Sequence, residues 1–309
     1  MIKILVTGAA GNIGSALVER LMKVPDFQVV GVDNFLTGSI QKLPNQNTAN
    51  FTFIKADINN YYEISSIMLS YQFNYVFHYA AVVGVQRTLD NPVLVLNDIQ
   101  GIKNILDLSK NTGVKRVFYS SSSEVYGEPV EFPQNEQTTP LNSRLPYAVV
   151  KNVGESFLRS YHKEYDLNYT IFRFFNTYGP RQSEDFVIAR FLKQAMNNEN
   201  LTIYGTGAQT RTFCYIDDNV ETTMKCLTGD ICANDVMNVG SDEEISIKDL
   251  AEKVIKVTGT KSKIVFLPAL KEGDMTRRKP DNTRMRTILG RPLISLEVGI
   301  RNTIEKKML

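Results

Sequence analysis

The stretch K-I-L-V-T-G-A-A-G-N-I-G, Lys3–Gly14, decides how the rest of the chain is read. Lys3–Thr7 is an apolar run of strand length, Gly8–Gly14 follows at once, and Ile13, Leu17 and Leu21 then recur at helical spacing. The unit is strand, glycine turn, helix. Its glycines fall as GxxGxxG rather than the more familiar GxGxxG, with the same mechanics. Gly8 permits the tight turn, Gly11 lets backbone come close to a ligand, and Gly14 lets the helix pack on the strand. The start of the helix, with Asn12 and Ile13, then offers free N–H groups to an anion such as a pyrophosphate.

Alone, such a glycine cluster is a weak signal, and the next strand strengthens it. Phe27–Val32 ends on Asp33, 19 residues beyond Gly14, with Asn34 beside it. An acid in that place accepts hydrogen bonds from ribose hydroxyls, and its charge repels a 2′-phosphate, so the expected cofactor is NAD rather than NADP. A third strand, Phe51–Lys55, leads to Ala56-Asp57-Ile58, where Asp57 can reach an adenine amino group. Tyr75–Tyr79 ends in Ala80-Ala81, small residues that let a dinucleotide lie close, and His78 inside that run reads as a packed core residue. The helix after it carries Leu96, Ile99, Ile102 and Leu106 on one apolar face. Strands alternating with helices predict right-handed crossovers and an α/β fold, a Rossmann-type doubly wound parallel sheet covered on both faces. The ligand crevice of such a sheet lies beyond the carboxyl ends of its strands.

Val114–Tyr119 is the next strand, and the polar run S-S-S-S-E-V-Y-G, Ser120–Gly127, follows it. Gly8–Gly14, Asp33, Ala80-Ala81 and Ser122 therefore all fall at strand ends, which argues for one shared site. Tyr147 and Lys151, in Y-A-V-V-K, stand four residues apart at the start of a helical pattern. A hydroxyl at a strand end and a Tyr/Lys pair on one helix face are the parts needed to take a proton from an alcohol. A phenol of pKa about 10 is too weak a base at neutral pH, and an ammonium one turn away is expected to lower it. An isolated YxxxK is commonplace on solvated helices; its company with the glycine turn gives it weight. Further on, Val149, Val153, Phe157 and Tyr161 predict a long buried helix face. Tyr169–Phe174 predicts a strand that runs into F-N-T-Y-G-P-R, Phe175–Arg181. Then the pattern loosens, and Arg181, Arg211, Lys271, Arg277 and Arg278 are candidates to clamp a diphosphate, each also readable as a solvated charge.

Composition excludes several classes. With 309 residues, 43% hydrophobic and 22% charged, and a formal charge of +2, the chain shows no bias towards nucleic acid or membrane surfaces. Three cysteines without a CxxC pair read as inert thiols of a reducing compartment, and two distant histidines make a metal site unexpected. The start is too short in its apolar run for a signal peptide, so a cytoplasmic protein is expected.

Together, T-G-A-A-G-N-I-G, Asp33, the serine run, Y-A-V-V-K and F-N-T-Y-G-P-R resemble the extended short-chain dehydrogenase/reductases. Within them the chain is similar to the NAD-dependent nucleotide-sugar epimerase/dehydratase group. L-T-I-Y-G-T-G-A-Q-T-R-T-F-C-Y-I-D-D (Leu201–Asp218) and R-K-P-D (Arg278–Asp281) continue the likeness. The resemblance makes Tyr147 the base, Lys151 its partner and holder of the nicotinamide ribose, and Ser122 the catalytic hydroxyl, five residues before Gly127. It implies that Asn176, Arg211 and Arg278 touch the substrate diphosphate, with Ser123 in the substrate site. It implies an NAD domain over residues 1–176 and a smaller C-terminal α/β sugar-nucleotide domain over 177–309, with some segments returning to the first. It also implies a homodimer through two helices, here Val93–Lys110 and Pro146–Tyr165. Two positions depart from the pattern: Asp98, with Asn97 beside it, stands where asparagine is usual, and Glu124 is less usual for a plain epimerase. The expected activity is oxidation of a nucleotide hexose at C4, best read as a 4-epimerase. A 4,6-dehydratase or a UDP-glucuronate decarboxylase using Glu124 is the alternative, and a non-catalytic NAD sensor the alternative of another class.

Overall fold

The computed structural model describes residues 1–45, 48–269 and 277–307, so Lys271 lies outside the described residues. Strands β1 (Ile2–Thr7), β2 (Phe27–Asp33), β3 (Phe51–Lys55), β4 (Tyr75–His78), β5 (Arg116–Ser122) and β6 (Tyr169–Phe174) alternate with helices. These are α1 (Asn12–Leu21), α2 (Tyr61–Tyr71), the short α3 (Val85–Asp90) and α4 (Pro92–Leu96), α5 (Asp98–Asn111) and α6 (Pro146–Tyr165). Next come β7 (Thr177–Tyr178), α7 (Val187–Met196), β8 (Leu201–Tyr204), β9 (Thr210–Thr212), β10 (Cys214–Tyr215) and α8 (Ile216–Thr228). The chain continues with β11 (Asp235–Val239), β12 (Glu244–Ser246), α9 (Ile247–Thr258), β13 (Ile264–Leu267), α10 (Thr283–Leu289) and α11 (Leu296–Lys307).

Seven strands form one sheet in the order β11-β6-β5-β4-β1-β2-β3, every pairing parallel. Alternate side chains of a strand point to opposite faces, so Ile4 and Val6 enter one core while Leu5 enters the other. The first core takes Leu17 and Leu21 of α1, Phe191 of α7 and Val254 of α9; the second takes Ile64 of α2, Ile105 of α5 and Leu158 of α6. The winding direction reverses between β1 and β4, which opens a crevice at their carboxyl ends. After β6 the chain adds three two-stranded pairs, β10-β7, β12-β9 and β13-β8, yet β11 returns to pair with β6 at the sheet edge.

Three local expectations are corrected. Strand β5 runs further than its apolar residues suggest: Ser120, Ser121 and Ser122 are its last three residues, and a short 3-10 turn, Ser123–Tyr126, follows. Serine can occupy a buried strand where its hydroxyl finds a partner, and Ser121 Oγ donates to Glu155 at 2.7 Å. The helix expected over Val93–Lys110 is two helices, α4 and α5, and Leu96 at the end of α4 is 41% exposed. The face of α6 expected to be buried is only partly so: Tyr161 is buried and Phe157 packs partly buried against the second core, but Val149 and Val153 do not reach it. Ala148, Val150, Lys151, Gly154, Glu155, Leu158 and Tyr161 are buried, whereas Val149, Val153 and Phe157 line an open groove with Ser156 and Ser160. Lys151 and Glu155 disguise the buried face in the sequence: their charges are satisfied inside, by Ser120 and by Arg173.

Candidate active site

The glycine turn is held by contacts that leave no room for side chains. Gly8 has φ +70°, and a Cβ on it would sit 2.7 Å from the backbone nitrogen of Ala80. A Cβ on Gly14 would sit 2.0 Å from Gly8 O, so α1 can approach the turn only because that residue is glycine. Helix α1 starts after Gly11 with no side chain capping it, and its first residues line a cavity of about 650 Å3 at the strand ends. Asn12 Oδ1 is buried there without a partner. Thr7 joins the two strands of the crevice: its Oγ1 accepts from Tyr79 N and from Ala80 N, both at 3.2 Å. Having accepted twice, that hydroxyl donates to His78 Nδ1 at 2.9 Å, which makes His78 a neutral ring protonated on Nε2. Burial, helped by the charge of Lys151, pushes the His78 pKa down to about 3.

Asp33 stands at the end of β2 with both carboxylate oxygens engaged, Oδ2 by Ala10 N at 2.9 Å and Oδ1 by Phe35 N at 2.8 Å. Each oxygen keeps a second lone pair for a hydroxyl donor. Burial raises the Asp33 pKa more than these bonds lower it. Asn34, Asp57, Ile58, Ala80 and Ala81 line the same cavity. An uncapped helix start, a glycine cradle, a buried acid and a floor of alanines fit the NAD expected from the sequence.

At the other end of the cavity the serine run meets α6. Tyr147 of α6 and Ser122 of β5 line the wall together with Ser123, Glu124 and Lys151. Ser122 Oγ accepts from Glu124 N at 3.2 Å, which fixes the turn that presents Glu124. Lys151 is 3% exposed, and its ammonium donates to Ser120 O at 2.6 Å and to Ser120 Oγ at 3.4 Å. Burial pushes its pKa down to about 8, against the opposing field of Asp98. The expected lowering of the Tyr147 phenol by Lys151 is not seen. Burial, then the charge of Glu124, raises the Tyr147 pKa well above its ordinary value, because the ammonium is turned to Ser120 and lies 5.7 Å from the Tyr147 ring centroid. The Ser120 carbonyl is a site group that no side-chain pattern could announce.

Of the candidate diphosphate cations, Arg278 lines the cavity and its Nη1 lies 3.5 Å from Glu124 Oε1. Asn176 lines it too, and its amide donates to Thr212 O at 3.1 Å. Arg211 lies on β9 outside the cavity wall, with Nη1 donating to Thr210 O at 2.7 Å. Arg181 pairs with Glu19 at 2.6 Å and Arg277 with Glu244 at 2.6 Å, so both are spent on ion pairs away from the cavity wall. Gln182 and Phe186, from the loop before α7, and Asp98 of α5 complete the wall.

Residues 4–240 match the model of the NAD dependent epimerase/dehydratase family. The chain belongs to this family. It is 34% identical over 308 residues to a UDP-glucose 4-epimerase of Mycolicibacterium smegmatis, covering 97% of both chains. It is 35% identical over 309 residues to UDP-glucuronic acid decarboxylase 4 of Arabidopsis thaliana, covering 97% of this chain and 67% of that protein. The solved structure of UDP-glucuronic acid 4-epimerase from Bacillus cereus, in complex with UDP-glucuronic acid and NAD, superposes with a TM-score of 0.90 at 33% identity over 99% of each chain. The chain is thus an NAD-dependent enzyme of the nucleotide-sugar epimerase/dehydratase kind, on a Rossmann-type sheet. Among the described residues no helix is long and apolar enough to cross a membrane. Both epimerases and decarboxylases stand among its relatives, so family membership leaves the reaction open.

Proposed function

We propose that this chain is a nucleotide-sugar 4-epimerase of the cytoplasm, acting on a uridine diphosphate sugar, as the relatives' own substrates suggest. The observation that carries the reading is the convergence of Ser122, Tyr147 and Lys151 on the wall of one cavity, with Glu124 paired to Arg278 beside them. The parts for oxidising an alcohol are assembled, while Glu124, the candidate C5 base, is engaged by Arg278 at 3.5 Å. Ser123, beside it, is a poor acid for expelling a C6 hydroxyl.

Bound NAD supplies a hydride acceptor that is cationic when oxidised. Tyr147 holds its proton in the unloaded chain and acts only once the phenol has lost it. It then takes the proton of the C4 hydroxyl, and Ser122 hydrogen-bonds the same oxygen and orients it. Lys151, anchored on Ser120, keeps a positive charge beneath Tyr147 as the phenol loses and regains its proton. The 4-keto sugar turns over and receives hydrogen on its opposite face. In this reading Gly8–Gly14, Asp33, Asn34, Asp57, Ile58, Ala80 and Ala81 hold the cofactor. Ser123, Asn176 and Arg278 hold the sugar nucleotide, and Arg211 serves it only if the loops around β9 move. Residues 1–176 with β11 form the cofactor domain, and the remainder of 177–309 the sugar-nucleotide domain.

Incubation with a panel of uridine diphosphate sugars, followed by mass spectrometry and NMR, tests the proposal. A product of unchanged mass with an inverted C4 is expected. A product lighter by one water would make the chain a dehydratase, and one lighter by carbon dioxide a decarboxylase. Binding of NAD with no conversion of any sugar nucleotide would make it a sensor.

A further inference from the structure

Glu155 of α6 and Arg173 of β6 have no part in the scheme above and stand outside the cavity wall, yet they form a buried ion pair, 0% and 2% exposed. The pair is bidentate: Arg173 Nε donates to Glu155 Oε1 at 2.8 Å and Arg173 Nη2 to Glu155 Oε2 at 2.7 Å. Ser121 of β5 donates to the same Oε1 at 2.7 Å, and Arg159, one turn further along α6, to Oε2 at 2.9 Å. Each carboxylate oxygen thus accepts twice, and the group is filled. The remaining Arg173 nitrogen, Nη1, donates to the Tyr126 hydroxyl at 2.9 Å and to the Glu136 carbonyl at 3.3 Å. Tyr126 in turn donates to Asn238 Oδ1 of β11 at 2.8 Å. One guanidinium therefore ties together α6, the end of β5, the turn Ser123–Tyr126 and β11.

The elements so tied are those that carry the reacting groups. Ser121 stands between Ser122 and Ser120, whose carbonyl accepts from Lys151 at 2.6 Å. Tyr126 closes the turn that presents Ser123 and Glu124. On α6, Tyr147, Lys151 and Glu155 follow at intervals of four residues. A movement at Glu155 is therefore carried by one rigid helix to Lys151, about 6 Å along its axis, and to Tyr147, about 12 Å along it. Fold stability alone does not explain the pair. Two buried charges lose their hydration on folding, and apolar side chains of like volume hold a helix on a sheet as firmly. Apolar contacts fix no direction, whereas a bidentate pair fixes distance and angle together. We propose that Glu155 and Arg173 are positioning residues for the reaction: their buried pair, with Ser121 and Tyr126 bonded to it, sets the axial place of α6 against β5 and so brings Tyr147 and Lys151 to Ser122. The link to turnover rests on the reading of those three as the reacting groups; the seating of α6 does not.

Glu155→Asp keeps the charge opposite Arg173 and shortens its arm by one methylene, so the pair closes only if α6 moves. Misplacing reacting groups by ångströms is costly in rate, and kcat is expected to fall by about tenfold or more. KM for the nucleotide sugar and NAD affinity in calorimetry are expected to stay within about twofold, the split of a misplaced reacting group rather than of a lost binding contact. The assays are run where circular dichroism shows the variant fully folded, so a loss of stability by itself leaves kcat unmoved. An unchanged kcat in the folded variant, or a fall matched by an equal loss of NAD affinity, would overturn the inference. If Glu155→Asp does not fold, Ser121→Ala, which removes one hydrogen bond and leaves the ion pair whole, decides in its place. A several-fold lower kcat at unchanged KM then upholds the inference, and an unchanged kcat overturns it. If the wild type converts no nucleotide sugar, the reading of the reaction fails on its own, and the seating of α6 is read in crystals of Glu155→Asp. Lys151 Nζ should there leave the Ser120 carbonyl, and an unmoved Lys151 would overturn the positioning as well.

Discussion

Tyr147 shows how little of a catalytic residue's state its spacing reveals. The YxxxK pattern put phenol and ammonium on one helix, but burial and Glu124 hold the phenol's proton on, and Lys151 is directed to Ser120. Tyr147→Phe should leave NAD affinity nearly unchanged in calorimetry and lower turnover by about two orders of magnitude or more, the scale of losing a general base. Near-wild-type turnover would remove Tyr147 from the mechanism. Asp33 keeps a free lone pair on each oxygen beside the glycine turn, within a negative, mostly buried carboxyl group. NAD should therefore bind much more tightly than NADP, and equal affinities in titration would mean that Asp33 meets neither ribose hydroxyl. Glu124→Gln should retain measurable turnover with product mass unchanged, since the side chain's visible partner is Arg278 rather than a reacting atom.

At the scale of elements, the glycine turn works because two backbones touch. Gly14→Ala would drive a methyl carbon to 2.0 Å from Gly8 O, and neither atom belongs to a flexible side chain. The variant should lose about 1–3 kcal/mol of stability in urea titration, the usual cost of overpacking, and bind NAD more weakly because the start of α1 is pushed from its place. Unchanged stability and affinity would mean that α1 is not seated by this contact. Helix α6 carries two lessons. Of its stripe expected to be buried, Tyr161 is, while Val149, Val153 and Phe157 are half-buried along an open groove and the main packing face contains Lys151 and Glu155. Apolar spacing alone cannot rank two faces when buried charges on one of them are fully partnered. We propose that the open stripe, together with Val93 at 71% exposure, is covered by a second copy of the chain. Light scattering should then give twice the chain mass, and Phe157→Glu should give a monomer; a monomeric wild type would exclude this.

At the scale of the whole molecule, the crevice between β1 and β4 is also a hinge of stability against acid. His78 is neutral in the fold with a pKa near 3, against about 6.5 when unfolded. A depressed folded value means that the stabilisation is complete above the unfolded pKa and is lost as pH falls from about 6.5 towards 3, because only the unfolded chain takes up the proton. The urea midpoint should accordingly fall between pH 7.5 and pH 5, and His78→Gln should flatten that dependence. Equal slopes in the two proteins would show that His78 protonates without unfolding the crevice. The Glu155–Arg173 pair acts in the same direction at lower pH, since Arg173 holds the Glu155 carboxyl below its ordinary range despite burial.

By itself the sequence determined the order of the parts. Lys3–Gly14, Asp33, Ala80-Ala81 and the serine run stand at strand ends because a strand, a turn and a helix are local in period and in turn chemistry. From those, the parallel sheet and the position of its crevice follow by connection rules. What the tertiary structure alone decided concerns partners distant in the chain. Only folding brought Thr7 to His78, Lys151 to the Ser120 carbonyl, Glu124 to Arg278 and Asp98 to Val82 N. It likewise sent Arg181 and Arg277 to Glu19 and Glu244. A charge or a hydroxyl has the same appearance in a sequence whether it is solvated, paired or aimed at a substrate. Which of these it is depends on burial and on the neighbours that the packed sheet sets beside it.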